Sequence, residues 1–491
     1  MQIACMSGFR LLECLTCPTF TRSDSGASSK RPIPVTSSQS WSAVPVAGGG
    51  GQRRLPDDRN GVELALRMEL DAVVLFDALS QVAIAGLSAG ERAIRVARRV
   101  GATRVLVVDR VRDQLAAWRG IRGCPLLVIR ADQLVHTPLV APLVAAPLVE
   151  GLVVAVDADG GYAGALLATG AHATAVLEAL GRGETDADIA RTATLRVPHG
   201  DIARHPIATR DERRAAHRML YRILIKPQDN AITRRLYRPV SFPLTRLLIW
   251  TPITPNQLSY LVAAIVVLGC WLTASASMGR VLAGTLVVLA AAYLDCCDGE
   301  VARLKLMSSR LGAWLDTVVD ELSSVGYMIA LGWHCHLAFG PRYLGDLGFD
   351  PWLAGIALGV VTYSGTLYGV YYNIIVAVGS ANSQDYAGSF EVVPGRQPNS
   401  VRLRPIEPSA PRRDRPGWLA AIAAYAPYLI RRDFISWAAV ALAALHWTHI
   451  MFGGFVLGGV VTFAVVARDH VRLRRLRRAI AQGGQVLEPA S

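Results

Sequence analysis

The sequence predicts an α-helical membrane bundle of six transmembrane helices, preceded by a soluble α/β domain. Long apolar segments follow residue 245, and hydrophobic residues make up 52% of the 491 residues, which is unusual for a soluble protein. Between about residues 70 and 205, short apolar runs alternate with amphipathic segments, as in a sheet whose strands are separated by helices. The net charge of +13 indicates contact with nucleic acid or with an anionic membrane surface, and the apolar segments favour the membrane.

The first segment, residues 1–62, is rich in Ser, Gly, Pro and Thr, and we expect a disordered extension. It has no apolar core long enough for a signal peptide. The ordered pattern begins near Met68, which leaves the true start codon open. Cys14 and Cys17 form a lone C-x-x-C without the second pair that a zinc site needs, so we expect the eight cysteines to be reduced and mostly structural.

The second segment, residues 63–205, carries the α/β pattern. The apolar runs "QVAIAGL", "RVLVVD", "PLLVIRAD" and "GLVVAVDAD" alternate with helical stretches such as "SAGERAIRVARRVGA". Buried strands that alternate with helices predict a parallel sheet. We expect this domain to be cytoplasmic.

The third segment, residues 206–250, is basic and amphipathic. Ten Lys and Arg residues lie between Arg210 and Arg246, interleaved with Leu, Ile, Tyr, Phe and Trp. A helix of this composition just before the first span is expected to lie along the membrane surface. An ordinary solvated linker helix is the alternative.

The fourth segment, residues 251–470, is the expected membrane domain. Thr254 is placed to cap the first span, with Pro255 at its first helical position. The second and fifth predicted spans are short against the roughly 20 residues that a span needs. The six spans are predicted at residues 256–275, 280–296, 312–339, 352–378, 434–448 and 450–467.

The distribution of arginine predicts the orientation of these spans. The outer loops contain only Arg280 and Arg342, whereas the inner loop 380–432 carries eight arginines. Six more lie within residues 468–478, at the start of a basic C-terminal tail, 471–491. This asymmetry predicts that both termini are cytoplasmic, in the cell (inner) membrane.

Four carboxylates lie in the second and third predicted spans. Asp295 and Asp298 are three residues apart, and Asp316 and Asp320 are four apart, so each pair shares one helical face. If the loop 299–312 folds one helix back beside the other, all four converge where the membrane meets the cytosol. Unpaired, they would repel one another and resist desolvation. Divalent cations remove both problems, and oxygen ligands select ions such as Mg²⁺ or Mn²⁺.

Small and basic residues near these acids are suited to a phosphate-bearing ligand. Gly299 and Ala302 remove side-chain bulk from the helix, Gly312 allows close approach on the facing helix, and Arg303 offers a planar fork for a phosphate. Two bound divalent ions are a common device of phosphoryl transfer. The alternative is a set of membrane-edge acids paired with loop arginines. The compact arrangement of eight such residues argues against it.

The spacing of these eight residues, D-x2-D-G-x2-A-R-x8-G-x3-D-x3-D, resembles the signature of the CDP-alcohol phosphatidyltransferases at every fixed position. The resemblance covers about residues 250–470. It implies a six-span fold that transfers a substituted phosphate from a CDP-linked donor to an acceptor hydroxyl and releases CMP. It implies that Asp320 is the general base and a further candidate metal ligand. It also implies two Mg²⁺ or Mn²⁺ ions on Asp295, Asp298 and Asp316, and a CDP site lined by Gly299, Ala302, Arg303 and Gly312.

The soluble domain carries a weaker resemblance. Residues 82–108 are similar to the middle of a sugar-phosphate nucleotidyltransferase, which implies a Rossmann-like, nucleotidyltransferase-like fold. Asp132 and Asp157 fall where such enzymes often hold a metal. The combination of domains, with residues 226–241 and 431–437, is similar to bifunctional enzymes that make CDP-inositol and join it to inositol phosphate.

One departure concerns the expected triphosphate loop. Residues 68–81 precede the similar stretch and contain neither glycine nor a basic residue that could cradle a triphosphate. We therefore interpret the domain as a degenerate relative that binds a partner or steadies the membrane domain. An active cytidylyltransferase, which would make the protein bifunctional, is the alternative.

The sequence is consistent with two pairs of substrates. One pair is CDP-inositol and inositol phosphate, and the other is CDP-diacylglycerol and a polar alcohol. The expected partners are the bilayer, the CDP-alcohol donor and the alcohol acceptor, without nucleic acid, and a homodimer is one alternative. A cation transporter would place its acids at mid-membrane and would not need Arg303 or the glycines. A non-catalytic scaffold would not need the acid set.

The candidate cations for a phosphate on the acceptor are Lys305, Arg310, Arg431 and Arg432, for which membrane-surface anchoring is the alternative.

Overall fold

The computed structural model has an α/β domain where the soluble domain is expected, followed by a connecting segment and a helical region. The predicted extension 1–62, with Cys14 and Cys17, lies outside the described residues, as does Arg431. The residues described are 69–109, 115, 118, 124–147, 150–225, 233–379, 385–395, 397, 399–406 and 432–488.

The soluble domain is built on a six-stranded sheet with the strand order β4-β1-β5-β8-β7-β9. Two short pairs, β2 with β3 and β6 with β10, lie outside it. The elements are β1 (Leu70–Leu75), β2 (Ala83–Ile84), β3 (Leu87–Ser88), α1 (Ala89–Arg99), β4 (Ala102–Val108), β5 (Leu126–Arg130), β6 (Gln133–Val135), α2 (Thr137–Ala145), β7 (Gly151–Val156), β8 (Tyr162–Thr169), α3 (Ala171–Arg182), α4 (Asp186–Ala190), β9 (Leu195–Pro198) and β10 (Arg204–Pro206).

The sheet is mixed, so the prediction of a parallel sheet is wrong for β8. Strand β1 is parallel to β4 and β5, and β7 is parallel to β9, but β8 is antiparallel to both β5 and β7. The reason is the tight turn at residues 157–161, where the Asp157 amide donates to the Gly161 carbonyl at 2.9 Å. Gly160 has a φ of +77°, which a hairpin turn of this kind requires and glycine adopts easily.

Both faces of the sheet are covered, which explains why its strands are apolar throughout. Alternate residues of a strand point to opposite faces, and Val74 and Val73 accordingly join different clusters of buried side chains. Helix α1 covers one face with Val96, and α3 covers the other with Val176 and Leu180. The expected α/β domain is therefore confirmed as a three-layer structure.

His136 makes the stability of this domain depend on pH. Burial, together with the guanidinium groups of Arg92 and Arg99, lowers the pKa of His136 from 6.5 to about 4. Between these values the unfolded chain binds a proton that the folded chain does not, so stability is complete above about pH 6.5 and is lost as the pH falls towards 4. The loss should be on the order of 3 kcal/mol. Thermal unfolding from pH 7 to 4 should show a shallower decline for His136→Gln than for the wild type, and identical slopes would contradict this assignment.

The remainder of the described chain is mostly helical. Thr254 caps α7 and forms a capping box with Gln257, so the predicted start of the first span is confirmed. The elements are α5 (Arg210–Tyr221), a π-helical turn (Thr233–Tyr237), α6 (Arg238–Leu248), α7 (Pro255–Thr273), α8 (Met278–Leu304), α9 (Arg310–Phe339), α10 (Pro351–Asn373, followed by a π-helical turn to Val378), β11 (Phe390–Pro394), β12 (Ser400–Pro405), α11 (Arg432–Ala444), α12 (Thr448–Gln482) and β13 (Val486–Leu487).

Four helices in the described part of the chain are long and apolar enough to cross a membrane: α7, α8, α10 with its π-helical turn, and α12. The other two predicted spans are also helical, but α9 carries three acids and α11 has only 13 residues. Helix α8 is longer than the predicted 280–296, because its 27 residues continue through the acidic motif to Leu304. Residues 299–304, expected in a loop, are therefore helical, and α12 likewise continues into the basic tail.

The soluble domain packs directly on the C-terminal end of α8. One cluster of buried side chains combines Ile84 of the soluble domain, Leu220 of α5, Ile249, and Val301 of α8. The contact is close at Gly86, where an added Cβ would lie 2.1 Å from the Ile249 carbonyl oxygen. Helix α5 therefore turns its apolar side to the soluble domain, and the two domains share one core.

Candidate active site

Three of the four predicted carboxylates meet between α8 and α9. One oxygen from each of Asp295, Asp298 and Asp316 can be chosen so that all three lie within 4.8 Å of one another. Asp298 is buried, and the other two are partly buried. The convergence that the helical spacing predicted is thus present for these three acids.

The carboxylates form a set that fits divalent metal. All three ligands are carboxylate oxygens, which favours ions such as Mg²⁺ or Mn²⁺ over softer metals. Because the three oxygens lie within 4.8 Å of one another, they are close enough to share a bound cation. Without a cation, three acids this close and this shielded from water would destabilise the fold by mutual repulsion.

Helix α7 contributes a residue that sequence reasoning missed. The Ser259 hydroxyl donates to Asp298 Oδ2 at 2.6 Å, which orients the buried carboxylate. Ser259 follows the Pro255 helix start by one turn, and a hydroxyl in a mostly apolar span is the signal that could have drawn attention to it.

The start of α9 packs tightly against α7 at Gly312. A Cβ at this position would lie 3.0 Å from Asn256 Oδ1 and 3.1 Å from Ser309 Oγ. The Gly312 amide donates to that Ser309 hydroxyl, which caps the helix. The absence of a side chain at Gly312 therefore permits the approach that brings Asp316 to α8.

Asp320 lies one turn beyond Asp316 on α9, outside the group of three. It remains within electrostatic range of Asp298. The next residue, Glu321, accepts a hydrogen bond from the Tyr363 hydroxyl of α10. The two adjacent acids of α9 are therefore in different surroundings, because Asp320 acts electrostatically on the three-acid group and Glu321 is bonded to α10.

Three of the four residues predicted to line the CDP site, Gly299, Ala302 and Arg303, lie on the last turns of α8, and Gly312 lies at the start of α9. A Cβ at Gly299 would have Arg303 Nη1, at 3.6 Å, as its nearest neighbour beyond the helix backbone among the described residues. That distance is an ordinary contact with the end of a flexible side chain. The helix backbone at Gly299 is thus open to a ligand, with the Arg303 guanidinium beside it.

Only one of the four candidate acceptor cations has a described side chain. Lys305 is buried, and its ammonium donates to the carbonyls of Thr251, at 2.7 Å, and Ile253, at 3.2 Å. Lys305 therefore fastens the loop before α7 to the end of α8. The side chains of Arg310 and Arg432, and all of Arg431, lie outside the described part of the chain.

In the soluble domain, the two acids proposed from the nucleotidyltransferase resemblance have internal cationic partners. The Arg130 guanidinium pairs with Asp132. Arg204 pairs with Asp157, and His199 Nε2 lies 2.7 Å from the same carboxylate. Burial opposes ionisation of Asp157, but the hydrogen bonds from Arg204 and His199 outweigh it and hold the pKa of Asp157 below its ordinary value. Guanidinium groups thus occupy the surroundings in which a metal would be expected.

The region after β1 also differs from a triphosphate loop. The Asp77 side chain caps a short 3-10 turn, Ala78–Gln81, and the Asp77 amide donates back to Ser80 Oγ at 2.9 Å. A carboxylate here would repel a triphosphate. The turn accordingly supports the interpretation of this domain as a degenerate relative.

Residues 252–393 match the family model of the CDP-alcohol phosphatidyltransferases. The C-terminal part of the chain therefore contains a CDP-alcohol phosphatidyltransferase domain, as the acidic pattern predicted. Three relatives share the name "Bifunctional IPC transferase and DIPP synthase". That of Aquifex aeolicus is 33% identical over 153 residues, 30% of this chain and 33% of the relative. That of Rubrobacter xylanophilus is 31% identical over 161 residues (32% and 35%), and that of Thermococcus kodakarensis is 32% identical over 128 residues (26% and 28%). The chain thus spans about a third of the length of the curated relatives it matches.

Proposed function

We propose that this protein is an integral membrane CDP-alcohol phosphotransferase of phospholipid or inositol-phosphate biosynthesis. It moves a substituted phosphate from a CDP-activated alcohol to an acceptor hydroxyl and releases CMP. The observation that carries the proposal is the convergence of Asp295, Asp298 and Asp316 within the part of the chain that matches the family.

The residues of the site have separate roles in this reaction. Asp295, Asp298 and Asp316 would hold two Mg²⁺ or Mn²⁺ ions, with Asp320 a further candidate ligand, and the bound ions would neutralise the donor's pyrophosphate. Asp320 takes the proton of the acceptor hydroxyl. The hydroxyl oxygen forms a bond to the donor's β-phosphorus, and the bond from that phosphorus to the bridging oxygen breaks. CMP leaves with the bridging oxygen, along a CDP site lined by Gly299, Ala302, Arg303 and Gly312.

A phosphorylated acceptor is favoured over a neutral alcohol. The relatives are named DIPP synthases, and a phosphate on the acceptor, with about −1.5 to −2 charges at neutral pH, needs cations besides the metals. Because the Lys305 ammonium is committed to two loop carbonyls, we assign this role to Arg310, Arg431 and Arg432. A lipid donor with a neutral acceptor is the alternative.

We propose that α9 and α11 complete six spans, with both termini cytoplasmic in the inner cell membrane. Exposure along α6 supports a lipid contact beside them. Its apolar Leu247 is 69% exposed, and Trp250 just beyond it is 57% exposed, whereas Ser241 and Thr245 are fully buried. A helix with polar residues inside and apolar residues outside is suited to the membrane. A homodimer within the membrane is compatible with this placement.

The proposal is tested with purified protein in lipid, candidate CDP donors, candidate acceptors, and Mg²⁺ or Mn²⁺. We expect CMP release that depends on both substrates, and a product whose mass equals acceptor plus substituted phosphate. Absence of CMP release with every donor, together with ion uptake into vesicles that contain the protein, would favour a cation transporter instead. Absence of both would favour a scaffold.

We further propose that the soluble domain has no cytidylyltransferase activity, although the relatives are named bifunctional. The full chain, given CTP and a phosphorylated alcohol, should release no pyrophosphate. Asp132→Ala removes only a partly exposed partner of Arg130 and should leave CMP release from a supplied CDP donor within about twofold, because surface ion pairs contribute little. Pyrophosphate release that disappears in Asp132→Ala would establish the bifunctional alternative.

A further inference from the structure

Two opposite faces of helix α8 carry different sets of polar residues. Successive residues of an α-helix are about 100° apart, so Cys297 and Glu300 lie about 200° around the helix from Asp295 and Asp298. One face therefore carries the metal-binding carboxylates. The other is directed at the juxtamembrane helix α6 and the turn before it.

Contacts with the second face begin near the membrane. The rings of Tyr237 and Tyr293 lie 4.7 Å apart between centroids, and the Tyr293 hydroxyl donates to the Leu236 carbonyl at 3.2 Å. Next along α8, the Cys297 thiol lies 3.7 Å from the Ser241 carbonyl oxygen. Tyr293, Cys297 and Glu300 are spaced by four and three residues, which places them in one stripe.

Glu300 ends this stripe and is fully buried. Its Oε1 accepts from the Arg238 guanidinium and from the Ser241 hydroxyl, the latter at 3.0 Å. Its Oε2 accepts from the Thr245 hydroxyl at 2.6 Å. The three donors stand at intervals of three and four residues on α6 and so share one face of that helix.

A buried carboxylate with three donors constrains the helix that carries it. A buried charge is costly unless it is paired and hydrogen-bonded, so α6 and α8 are held where all three bonds form. Rotation of α8 about its axis would break these bonds and would swing Asp295 and Asp298 away from Asp316 at the same time. The three hydrogen bonds of Glu300 thus also fix the side of α8 on which Asp295 and Asp298 face Asp316.

We propose that Glu300 is a positioning residue for the metal-binding carboxylates, acting through its bonds to Arg238, Ser241 and Thr245. The inference rests on the proposed function, since it assigns the metal site to Asp295, Asp298 and Asp316. It adds that the juxtamembrane helix sets the geometry of that site from the opposite face of α8.

The test measures Mn²⁺ itself as well as the reaction. Binding of Mn²⁺ to the full-length protein is followed by the electron paramagnetic resonance signal of the free ion, and CMP release is measured over the same Mn²⁺ range. Glu300→Gln should raise the Mn²⁺ concentration for half-saturation and for half-maximal rate by about 10-fold, the lower end of effects seen when support of a metal ligand is lost. Loss of folded protein alone would lower the amount of Mn²⁺ bound at saturation and the maximal rate, and would not move these midpoints.

Asp469→Asn is the matched control, because it also removes a buried carboxylate from this domain. Asp469 lies on α12 and accepts from the Tyr386 hydroxyl at 3.1 Å, away from the α6–α8 contact. Its Mn²⁺ midpoints should equal those of the wild type.

Wild-type midpoints in folded Glu300→Gln would overturn the inference. If Glu300→Gln does not fold, the double variant Arg238→Met/Glu300→Met decides, because it replaces both charged partners with apolar groups and leaves no unpaired buried charge. A raised Mn²⁺ midpoint in the double variant supports the inference, and an unchanged midpoint overturns it. A wild type that binds Mn²⁺ but releases no CMP from any donor would instead contradict the proposed function, and the binding midpoints would still decide the role of Glu300.

Discussion

Removal of divalent metal should lower CMP release by on the order of 10³-fold or more. The donor carries a pyrophosphate, and carboxylates cannot neutralise it, so the loss corresponds to several kcal/mol of transition-state stabilisation. Excess EDTA should stop the reaction, and Mg²⁺ or Mn²⁺ added beyond the chelator should restore it. Asp298→Asn should cause a loss of similar size that added metal does not fully reverse, because Asp298 is the buried member of the group and its orientation is fixed by Ser259.

Asp346→Asn is a suitable control for this loss. Asp346 is an exposed carboxylate between α9 and α10, far along the chain from the acidic motif. Its replacement should change the rate by less than about twofold, as expected for a surface substitution. Full activity in excess EDTA would remove the metal from the mechanism.

Asp320→Asn should lower kcat by about 10² to 10⁴-fold, the range that a general base typically contributes. The substitution keeps the shape of the side chain and removes its ability to accept the acceptor's proton. Because Asp320 stands one turn beyond the three-acid group, the KM of the donor should change by less than about threefold. Steady-state kinetics with varied donor and acceptor separate the two effects.

The neighbouring acid offers a close comparison. Glu321→Gln also neutralises a carboxylate of α9, but Glu321 is bonded to the Tyr363 hydroxyl on α10. Its kcat should stay within about fivefold of the wild type, since the amide oxygen of glutamine can still accept from the Tyr363 hydroxyl and no proton transfer is lost. Equal losses in both variants, or none in Asp320→Asn, would show that another group takes the proton.

The acidic site could be predicted because its spacing is local. Asp295 and Asp298 share a face of any helix, and only one short connection separates them from Asp316, so chain geometry alone limits where these acids can go. The same reasoning predicted the start of α7, because Thr254 and Pro255 act within a single turn. Features set by residues close in sequence were therefore accessible without a structure.

The sheet direction and the end of α8 were mispredicted for different reasons. The antiparallel strand β8 follows the turn at residues 157–161, a hairpin that the alternation of strands and helices does not predict. The second predicted span ends at residue 296, whereas α8 continues to Leu304. The helix continues because Ser259 and the donors of α6 satisfy its carboxylates, and these partners come from elsewhere in the chain.

The contacts of Ser259 and Glu300 likewise could not be predicted from the sequence. Neither follows from the spacing of the acids, because Ser259 is 39 residues from Asp298, and Glu300 binds donors 55 to 62 residues away. Such pairings are fixed by how α6 and α7 pack on α8. A single sequence gives the helices but not the rotation of one against another.

The soluble domain and the helical region share a core at the end of α8, so removal of one would expose apolar side chains of the other. A protein shortened to begin at residue 206 would expose Leu220, Ile249 and Val301, which the soluble domain now covers. Their return to water would cost on the order of 1.5–3 kcal/mol for each fully exposed side chain, a large part of the margin by which a domain is folded. Selection on the membrane reaction alone would then be enough to retain the soluble domain after its own chemistry had been lost. A domain that no longer turns over substrate can remain indispensable as a folding partner.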